Sequence, residues 1–585
     1  MSEKITSEKI RQLWKQFWES SPRDHKRAKP DSLIPSQEDK TVLFTTAWMQ
    51  QFVPYLMGKP HPLGKRLYNI QKCVRTWDID EVGDERHLTF FEMMGNWSLW
   101  DYFKKEAISW SYEFLTDYLK IPSNKIWATI FKWEKWIPKD EESQKYWQQV
   151  GVPAERIKPL GADDNFWGPA WEIWPCGPST EIYVDRWPAW GPDDRNLGTN
   201  DRYIEVWNDV FMEFYKDKQG NYTPLPQKNV DTWMGLERIT MIMQEVPTVF
   251  ETDLFEPIIK VIAKHWMVDY PLEKYFWNAD KPEVVSQLSD SKELSTLSSV
   301  EAGEELKKNI VYLNSLDLTR RFRIIADHIR SSVFLIADGV SPSNEGRWYV
   351  LRRLIRRLYY NFLLLDNKVD PKNVTPFVSE VVDIIAQKYG PWRQNVDTSR
   401  EQVKKVLLDE ISKFQKTISG GMKLLSKFLS SATKRLDGEI VFKLYDTYGF
   451  PAELTQEIAQ SKGIDIDWEG FEAQMQKAKD KSRQGTSAVF KRWVDWAKYI
   501  SWLPQTEFVG YDRLELDWSS LLRDFRVEEL WWQRVLVFDK TPFYPEWGWQ
   551  KGDKGEIILD DWKRLRVVDT QKFAWVILHF VKEID

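Results

Sequence analysis

The stretch LYNIQKCVRTWDIDEVGDERHLTFFEMMGNWSLWDYF, residues 67–103, carries the pattern that decides the fold. It reads as two strands joined by a charged loop, with Arg75 at the end of the first and Phe90, Phe91 and Glu92 in the second. An arginine fixed at a strand end can grip a phosphate or carboxylate through its planar fork, and an exposed aromatic ring offers a stacking face for a base. Taken alone, such an arginine is more often in a surface ion pair and such rings are more often core.

A second arginine follows another predicted strand in VDTWMGLERI, residues 230–239. Asp231 ends that strand, and Arg238 lies in the first turns of a helix that begins near Gly235. The N-terminus of the helix and Arg238 together form a site for a polyphosphate. As a lone pattern this is weak, because glycine followed by arginine occurs by chance in many proteins.

The pattern of the chain changes twice. An amphipathic helix is predicted at 6–20, and helical patterns dominate from about 251 to 480, interrupted by a polar stretch at 280–308. The predicted strands are 41–46, 67–75, 87–93, 126–131, 179–185 and 203–214. The other predicted helices are 101–119, 251–267, 318–338, 345–366, 375–389, 399–432 and 452–483. Successive strands without regular intervening helices favour a mainly antiparallel sheet, and short strands return after about residue 500.

Composition excludes several classes of protein. At 585 residues the chain is too long for one core, so two to four domains are expected. Apolar runs long enough for a membrane span or a signal peptide are absent from the sequence. Two cysteines, Cys73 and Cys176, cannot make a disulfide scaffold, which favours a reducing cytosol. The net charge of −6 gives no indication of nucleic-acid binding by itself.

Tryptophan is abnormally frequent. The chain has 33 Trp and only 27 Gly, although an average protein of this size has about 40 Gly. In 171–182 and 541–556, Trp alternates with Gly and Pro in stretches that are typical of turns. Turns need residues that tolerate positive φ and close backbone approach, and Trp does not. Either the protein has unusual aromatic loops, or many of these Trp letters stand for a codon that the source organism reads as glycine.

Together, the two arginine motifs are similar to those with which class II aminoacyl-tRNA synthetases hold ATP. The chain resembles the alanyl-tRNA synthetase family in particular, and the resemblance covers nearly its whole length. Further matching segments are TTAWMQQF (45–52), DNFWGPAWEIWPCGPSTEIYVD (164–185), RYIEVWNDVFMEF (202–214), RIIADHIRSSVFLIADGVSPSNEGRWYVLRRLIRR (323–357), FKLYDTYGFPAELT (442–455) and TPFYPEWGWQKGDKG (541–555).

The resemblance implies an α+β fold with three parts. These are a class II aminoacylation domain with an antiparallel sheet (1–250), a helical tRNA-recognition domain (251–485) and a partial C-terminal β-barrel domain (486–585). The implied activity is alanine–tRNA ligation with ATP and Mg²⁺, acting on L-alanine and tRNA(Ala) in the cytoplasm, with no membrane partner.

The resemblance also assigns roles to residues. The catalytic residues are Arg75 and Arg238. The other ATP-binding residues are Asp78, Arg86, His87, Phe90, Glu92, Met93 and Gly235, with Phe90 stacking on adenine. The alanine-binding residues are Met49, Trp167, Asn208, Asp231 and Trp233. The tRNA-binding residues are Asn344, Arg347, Arg352, Arg353, Arg356 and Asp446. Segment 320–357 supports RNA contact because it carries nine Lys/Arg against three Asp/Glu, a local charge of +6, although a solvated helix face would have the same pattern.

The chain departs from the family pattern at glycine positions. Trp stands there at 48, 77, 100, 171, 174, 233, 348 and 549, whereas Trp97, Trp167 and Trp207 fall where an aromatic residue fits. Substitution confined to glycine positions is what codon reassignment predicts. Trp233 is decisive, because an indole there would fill a methyl-sized pocket. If that Trp is literal, a catalytically inactive RNA-binding paralogue is the alternative.

The sequence argues against two other classes of enzyme. Another class II adenylate-forming ligase conflicts with segments 320–357 and 442–450, and class I synthetases conflict with the lack of HIGH-type and KMSKS-type motifs. The family's zinc-type HxxxH editing signature is absent and the six His do not cluster, so no zinc site is expected. Because small amino acids are hard to discriminate by binding alone, a separate editing factor is a possible partner, and the chain is expected to be a fragment or a form without the editing domain.

Overall fold

The computed structural model describes residues 5–35, 42–47, 49–133, 137–167, 174–186, 197, 202–217, 221–271, 304–344, 346–365, 371–390, 392–431, 434–485, 497–500, 503–510, 513, 515–516, 518–527, 533–545, 553–561, 563–573 and 576–583. The chain forms two compact units, Met1–Ser426 with Asp446–Thr455, and Lys427–Tyr445 with Gln456–Asp585. The bounds of these two units do not coincide with those of the three predicted domains. The predicted boundaries after residues 250 and 485 stay predictions.

The first unit is built on a nine-stranded sheet. Its strands are β1 (Lys26–Arg27), β2 (Arg66–Val74), β3 (Phe90–Leu99), β4 (Ile126–Phe131), β5 (Ile157–Leu160), β6 (Phe166–Trp167), β7 (Trp174–Asp185), β8 (Tyr203–Lys216) and β9 (Tyr222–Gly235). Their order is β1-β2-β3-β9-β8-β7-β4-β5, and β6 pairs with β7. The pairs β1–β2 and β4–β5 are parallel and the other pairs are antiparallel. The predicted antiparallel sheet and α+β class are confirmed.

Strand alternation gives this sheet two distinct faces. Trp97 of β3 lies opposite Asp231 of β9, and Gly95 lies opposite Trp233. Met93 and Trp97 pack in one apolar cluster together with Trp233. We call this side the site face. The predicted alanine-binding residues of β9 therefore share one surface with the odd-numbered residues of β3.

Helix α1 (Ser7–Glu19) covers part of the opposite side, which we call the helix face. Thr6 caps it by accepting a hydrogen bond from the Lys9 amide, and its buried apolar side chains are Ile10, Trp14, Phe17 and Trp18. This spacing presents one apolar stripe to the sheet. The Trp14 ring lies 5.1 Å from the ring of Trp207 of β8, so the predicted helix at 6–20 is confirmed.

The remaining helices follow the predicted order closely. They are α2 (Val53–Leu56), α3 (Lys104–Glu113), α4 (Glu141–Gln149), α5 (Ala162–Asn165), α6 (Leu236–Gln244), α7 (Glu256–Trp266), α8 (Glu304–Ala337), α9 (Gly346–Leu365), α10 (Pro371–Tyr389), α11 (Gln394–Thr398), α12 (Arg400–Ser431), α13 (Gly438–Tyr448), α14 (Ala452–Gln460), α15 (Trp468–Gly485) and α16 (Ala497–Ile500). Most of the polar stretch at 280–308 lies outside the described residues, and its end belongs to α8.

Several predicted elements differ from the structure in their bounds, such as the strand at 87–93, which is Phe90–Leu99, and the helix at 318–338, which is Glu304–Ala337. Two differ in kind. The strand at 41–46 is wrong in its described part, 42–46, because only Thr45 reaches β2, whose Val74 amide donates to the Thr45 carbonyl at 2.9 Å. The single helix at 452–483 is divided into α14 and α15. Gly463 ends the first part in the left-handed region at φ +68, a conformation that favours glycine.

The second unit contains a five-stranded antiparallel sheet in the order β13-β14-β18-β17-β16. The strands of this unit are β10 (Arg435–Leu436), β11 (Asp465–Ile466), β12 (Glu507–Phe508), β13 (Leu521–Val527), β14 (Gln533–Phe538), β15 (Lys540–Thr541), β16 (Gly555–Ile558), β17 (Arg564–Phe573) and β18 (Val576–Glu583). Val535, Val537 and Leu578 are central to its core. The return of strands is confirmed, and their closure into a barrel stays a prediction.

Candidate active site

Arg75 and Arg238 lie close together at one end of the interior strands of the sheet. Arg75 directly follows β2, and Arg238 lies in the first turn of α6, which continues from β9. Only β3 separates these two strands. Burial lowers the pKa of the Arg75 guanidinium, and the positive charge of Arg238 lowers it further. The structure thus brings together the two arginines that the sequence predicted for one site.

Arg75 is partly buried and is held by its backbone and by rings. Its amide donates to the Thr89 carbonyl at 3.0 Å, and its guanidinium lies 5.1 Å from the ring centre of Phe91. Among the described residues, the Arg75 Nε has no hydrogen-bond partner. A buried cationic donor in this arrangement is suited to an anionic ligand.

Two carboxylates face Arg238 from neighbouring strands. Arg238 Nη1 donates to Glu205 Oε2 at 2.8 Å. Burial and the charge of Glu205 raise the pKa of Glu181 to about 9. Glu181 accepts hydrogen bonds from Asn208 Nδ2 at 3.1 Å and from the Tyr183 hydroxyl at 2.9 Å. Glu181 and Glu205 are not among the site residues predicted from the sequence, although both lie in the matching segments 164–185 and 202–214.

These groups border a cavity of about 310 Å³. It is lined by Glu85, Arg86, His87, Asp163, Asp164, Glu181, Tyr183, Arg186, Tyr203, Ile204, Glu205, Arg238, Met241 and Pro247. Arg86, His87 and Arg238 of the predicted ATP site thus line this cavity. Both cationic side chains and carboxylates form its wall.

The loop between β2 and β3 presents the other predicted ATP residues. Asp84 organises it, because Asp84 Oδ1 accepts from the amides of Arg86 at 3.0 Å and His87 at 2.8 Å, while Asp84 Oδ2 lies 2.5 Å from His87 Nδ1. Burial raises the pKa of Asp78, against the effect of Arg75. The imidazole of His87 is therefore oriented by a carboxylate at the cavity wall.

Phe90 does not fit its predicted role as the stacking residue. Its ring is fully buried and stacks on Phe334 at 3.9 Å on the helix face. Phe91 lies on the site face, is only partly buried and lies over Arg75. Consecutive strand residues point to opposite faces, so the exposed aromatic is the second of the pair.

Glu92 also points away from the predicted nucleotide. It is fully buried and pairs with Arg11 of α1 and, at 2.7 Å, with Arg393. Burial raises its pKa, but the two arginines lower it to about 2. Glu92 is thus a structural anion that joins β3 to surrounding helices. Met93 is on the site face but fully buried, so its predicted nucleotide contact finds no exposed surface here.

The predicted alanine-binding residues meet on the site face. Trp233 lies opposite Asn208 in the sheet, and Asp231 lies opposite Val210. Met49, Trp167 and Trp233 pack in one cluster. Asp231 is fully buried. Trp233 therefore shares one surface with Asn208 and packs against the apolar cluster that contains Met49.

The Trp residues at predicted glycine positions differ in their surroundings. Trp100 has φ +57, the left-handed region that favours glycine, and is 60% exposed. Trp77 is 62% exposed and Trp348 is 38% exposed. Trp48, Trp171 and Trp549, with the side chain of Trp174, lie outside the described parts of the structure. Trp97 and Trp207, where aromatics were expected, are fully buried.

The predicted tRNA-binding arginines make ion pairs within the first unit. Arg353 pairs with Asp80 at 2.6 Å, Arg356 with Glu410 at 2.6 Å, and Arg352 with Glu410 at 3.1 Å. By contrast, Asn344 and Asp446 are exposed and Arg347 is half-buried. The RNA contacts of all six residues stay predictions, and the exposed ones offer the readier surface.

Within the described ranges, three or more His, Cys, Asp or Glu side chains nowhere form a group that could hold a metal ion. In those ranges the helices are also too short or too polar to cross a membrane.

With this geometry established, comparison identifies the family. The family model described as "tRNA synthetases class II (A)" matches residues 9–584. The chain therefore belongs to the class II tRNA synthetases (A), as its paired arginine motifs predicted.

Proteins named alanine–tRNA ligase are similar to the chain along nearly all of its length. Those of Thermotoga maritima and Carboxydothermus hydrogenoformans are 39% and 38% identical, each over 99% of this chain and 62% of the relative. That of Fervidobacterium nodosum is 38% identical over 95% of this chain and 58% of the relative. The chain thus spans about 60% of the length of these relatives. An apo histidyl-tRNA synthetase from S. aureus aligns with 40% of this chain and 69% of its own, with 10% identity and a TM-score of 0.25, a likeness too low to support an argument.

Proposed function

We propose that this chain carries the aminoacylation activity of an alanine–tRNA ligase. It would activate alanine with ATP and then transfer the alanyl group to the 3′ end of tRNA(Ala). The observation that carries the proposal is the meeting of Arg75 and Arg238 on the face of an antiparallel sheet that also holds Asp231 and Asn208. Relatives of that name at 38–39% identity support the choice of substrate.

The first step joins alanine to the α-phosphate of ATP. A carboxylate oxygen of alanine attacks the α-phosphorus, the bond to the β-phosphate oxygen breaks, and pyrophosphate leaves with the electron pair. The protein contributes positioning and charge neutralisation. Arg75 would bridge the alanine carboxylate and the α-phosphate, since its guanidinium lies beside Phe91 with Nε unsatisfied among the described residues.

The remaining ATP contacts come from the loop between β2 and β3 and from α6. Arg238 would hold the γ-phosphate and one face of adenine, with Gly235 at the helix N-terminus. Phe91 replaces Phe90 as the residue on the other face of the base. Arg86 and His87 would contact the phosphates from the cavity wall.

Magnesium would be held by Glu181 and Glu205 together with the phosphates. The raised pKa of Glu181 reflects burial beside a like charge, and carboxylates with substrate phosphates are the usual ligands of Mg²⁺. When bound, the ion neutralises negative charge that develops on the phosphate oxygens. The residues present therefore fit a divalent cation.

Alanine would lie between Met49, Trp167 and Asn208, with its ammonium group on Asp231. A buried carboxylate next to apolar walls is suited to bind a small zwitterion by its cation. With Trp233 as written, the indole would crowd the methyl group of the substrate. With glycine at 233, a methyl-sized space opens on the same surface.

The tRNA would approach along α9 and the segment Asp446–Thr455. Asn344 and Asp446 would read its acceptor stem, and Arg347 would contact phosphate, with Arg352, Arg353 and Arg356 as further candidates. A separate editing factor is proposed as a further partner. The reaction would take place in the cytoplasm.

The test is alanine-dependent exchange between ATP and pyrophosphate. It should be measured for the chain as written and for a form with glycine at 48, 77, 100, 171, 174, 233, 348 and 549. We expect exchange from the glycine form, and its loss in that form after Arg75→Ala. A glycine form that folds but gives no exchange would overturn the proposal, and retained binding of tRNA would then indicate an RNA-binding paralogue.

A further inference from the structure

Three buried side chains connect α8 with α9 behind the ATP-binding loop. Asp327 and His328 are fully buried on α8, and Arg357 of α9 is 2% exposed. Asp327 Oδ2 lies 2.9 Å from His328 Nδ1, and His328 Nε2 lies 2.9 Å from Arg357 Nη1. The three groups thus form one continuous chain, which we call the relay.

Both ends of the relay hold the backbone of the loop between β2 and β3. The Thr89 amide donates to Asp327 Oδ1 at 2.9 Å. Arg357 Nη1 donates to the Ile79 carbonyl at 3.0 Å. Ile79 follows Asp78, and Thr89 lies two residues after His87. The relay therefore fixes the loop on both sides of its predicted ATP contacts.

The chemistry of the relay allows one consistent pattern of protons. A guanidinium can only donate, so His328 Nε2 accepts from Arg357 Nη1 and bears no proton; burial lowers the pKa of His328 in the same sense. The one N–H of the imidazole is therefore at Nδ1, which donates a hydrogen bond to Asp327 Oδ2. Arg357 Nη1 has two N–H bonds, one for His328 and one for the Ile79 carbonyl. All of these donors and acceptors are satisfied together.

Other side chains of the same helices also hold this loop. Arg353 of α9, one turn before Arg357, pairs with Asp80 at 2.6 Å. Arg323 of α8 donates to the Asp84 carbonyl at 3.0 Å. Asp84 in turn orients His87. The position of the loop is therefore set by α8 and α9 rather than by the strands alone.

We propose that Asp327, His328 and Arg357 are positioning residues for ATP, which hold the loop of Asp78, Arg86 and His87 in its binding geometry and link it to α9. This inference rests on the proposed function. None of the three touches the ATP cavity. Their effect is on the affinity for ATP and not on the affinity for alanine.

The test compares Arg357→Met, which removes the hydrogen bonds donated to His328 and to the Ile79 carbonyl, with Arg357→Lys, which keeps a cationic donor. We expect Arg357→Met to raise KM for ATP about tenfold in the exchange reaction of the glycine form, because small misplacements of a binding group have large effects. KM for alanine should not change, and Arg357→Lys should restore part of the ATP affinity.

Arg393→Met is the matched control, since Arg393 is also buried and donates to the Ile70 carbonyl and to Glu92 at 2.7 Å each. It should lower Tm without changing KM for ATP. Equal rises of both KM values in Arg357→Met, or an unchanged KM for ATP, would overturn the relay.

Amide hydrogen exchange tests the relay even if the protein shows no ATP–pyrophosphate exchange. The Thr89 amide should be strongly protected in the unmodified chain and lose protection in Arg357→Met, but not in Arg393→Met. Unchanged Thr89 protection would refute the relay. If ATP–pyrophosphate exchange is absent but the Thr89 amide loses protection in Arg357→Met as expected, only the proposed function is refuted.

Discussion

Arg238 Nη1 lies 2.8 Å from Glu205 Oε2, so the cation proposed to hold the γ-phosphate shares its charge with a carboxylate. Glu205 also acts on Glu181, whose pKa is raised to about 9 by burial and then by this neighbour. One arginine thus faces two carboxyl groups on adjacent strands, and its single charge can balance only one of them. Such an arrangement favours a further positive charge, whether a proton or a divalent cation.

Glu181→Gln tests this balance through the pH dependence of stability. Because the pKa of Glu181 is raised from 4.5 to about 9 on folding, the folded chain keeps a proton that the unfolded chain releases. The contribution of protonated Glu181 to the free energy of unfolding is fully present below pH 4.5 and is lost as pH rises to about 9. The Tm of Glu181→Gln should therefore exceed that of the unmodified chain by an amount that grows over this range.

Calorimetry at several pH values measures this difference. Glu205→Gln is the matched variant, because it removes the like charge and should lower the pKa of Glu181. The unmodified chain should also gain Tm from Mg²⁺, and Glu181→Gln should gain less. A difference in Tm that is constant with pH would contradict the assignment.

The two adjacent phenylalanines provide a paired prediction. Phe91→Leu should raise KM for ATP about tenfold, because stacking of a base on an aromatic ring contributes about 1–3 kcal/mol. Phe90→Leu should leave KM for ATP unchanged and reduce the free energy of unfolding by about 1–3 kcal/mol, since its ring is fully buried against Phe334. Exchange kinetics and urea unfolding measure the two effects. The reverse pattern would restore Phe90 as the nucleotide contact.

Trp233→Gly should create alanine-dependent exchange, or increase it strongly, relative to the chain as written. The indole lies opposite Asn208 and packs with Met49, so its removal opens the space proposed for the methyl group. Trp97→Gly is the control, because Trp97 is fully buried on the same face. That variant should lose about 3–5 kcal/mol of stability without a gain in exchange. Equal rates of alanine-dependent exchange in Trp233→Gly and the unmodified chain would refute the claim that the indole crowds the methyl group of the substrate.

The strands of the sheet were predictable from the sequence. Their sequence did not show which residues point to the site face and which to the helix face. The predicted strand at 126–131 matches β4 at both ends, because apolar runs between turn signals define strands well. Both faces of β3 are buried, so polarity does not distinguish Phe90 from Phe91. The sequence pattern therefore could not show which of the two rings lies beside Arg75.

Contacts between distant parts of the chain leave no mark in the sequence pattern. Arg352 and Arg356 share Glu410, which is remote in sequence, so the pattern of the basic helix could not show which of its arginines are paired within the fold. Glu181 lies opposite Asn208 and Glu205 lies opposite Tyr183, with a shift of register between Ile182 and Tyr183. A shift of this kind depends on tertiary packing and leaves no periodic pattern.

Trp100→Gly should stabilise the protein by about 1 kcal/mol, because a side chain in the left-handed region costs about 1–2 kcal/mol. Trp100 has φ +57 and is 60% exposed, so little packing is lost with the indole. Trp133→Gly is the matched control, since Trp133 is 61% exposed and is not among the residues with positive φ. It should be neutral or slightly destabilising, because glycine adds freedom to the unfolded chain. Urea unfolding measures both variants. A stabilisation confined to Trp100→Gly supports glycine as the residue this backbone was selected to hold, whereas destabilisation of both would favour tryptophan as written.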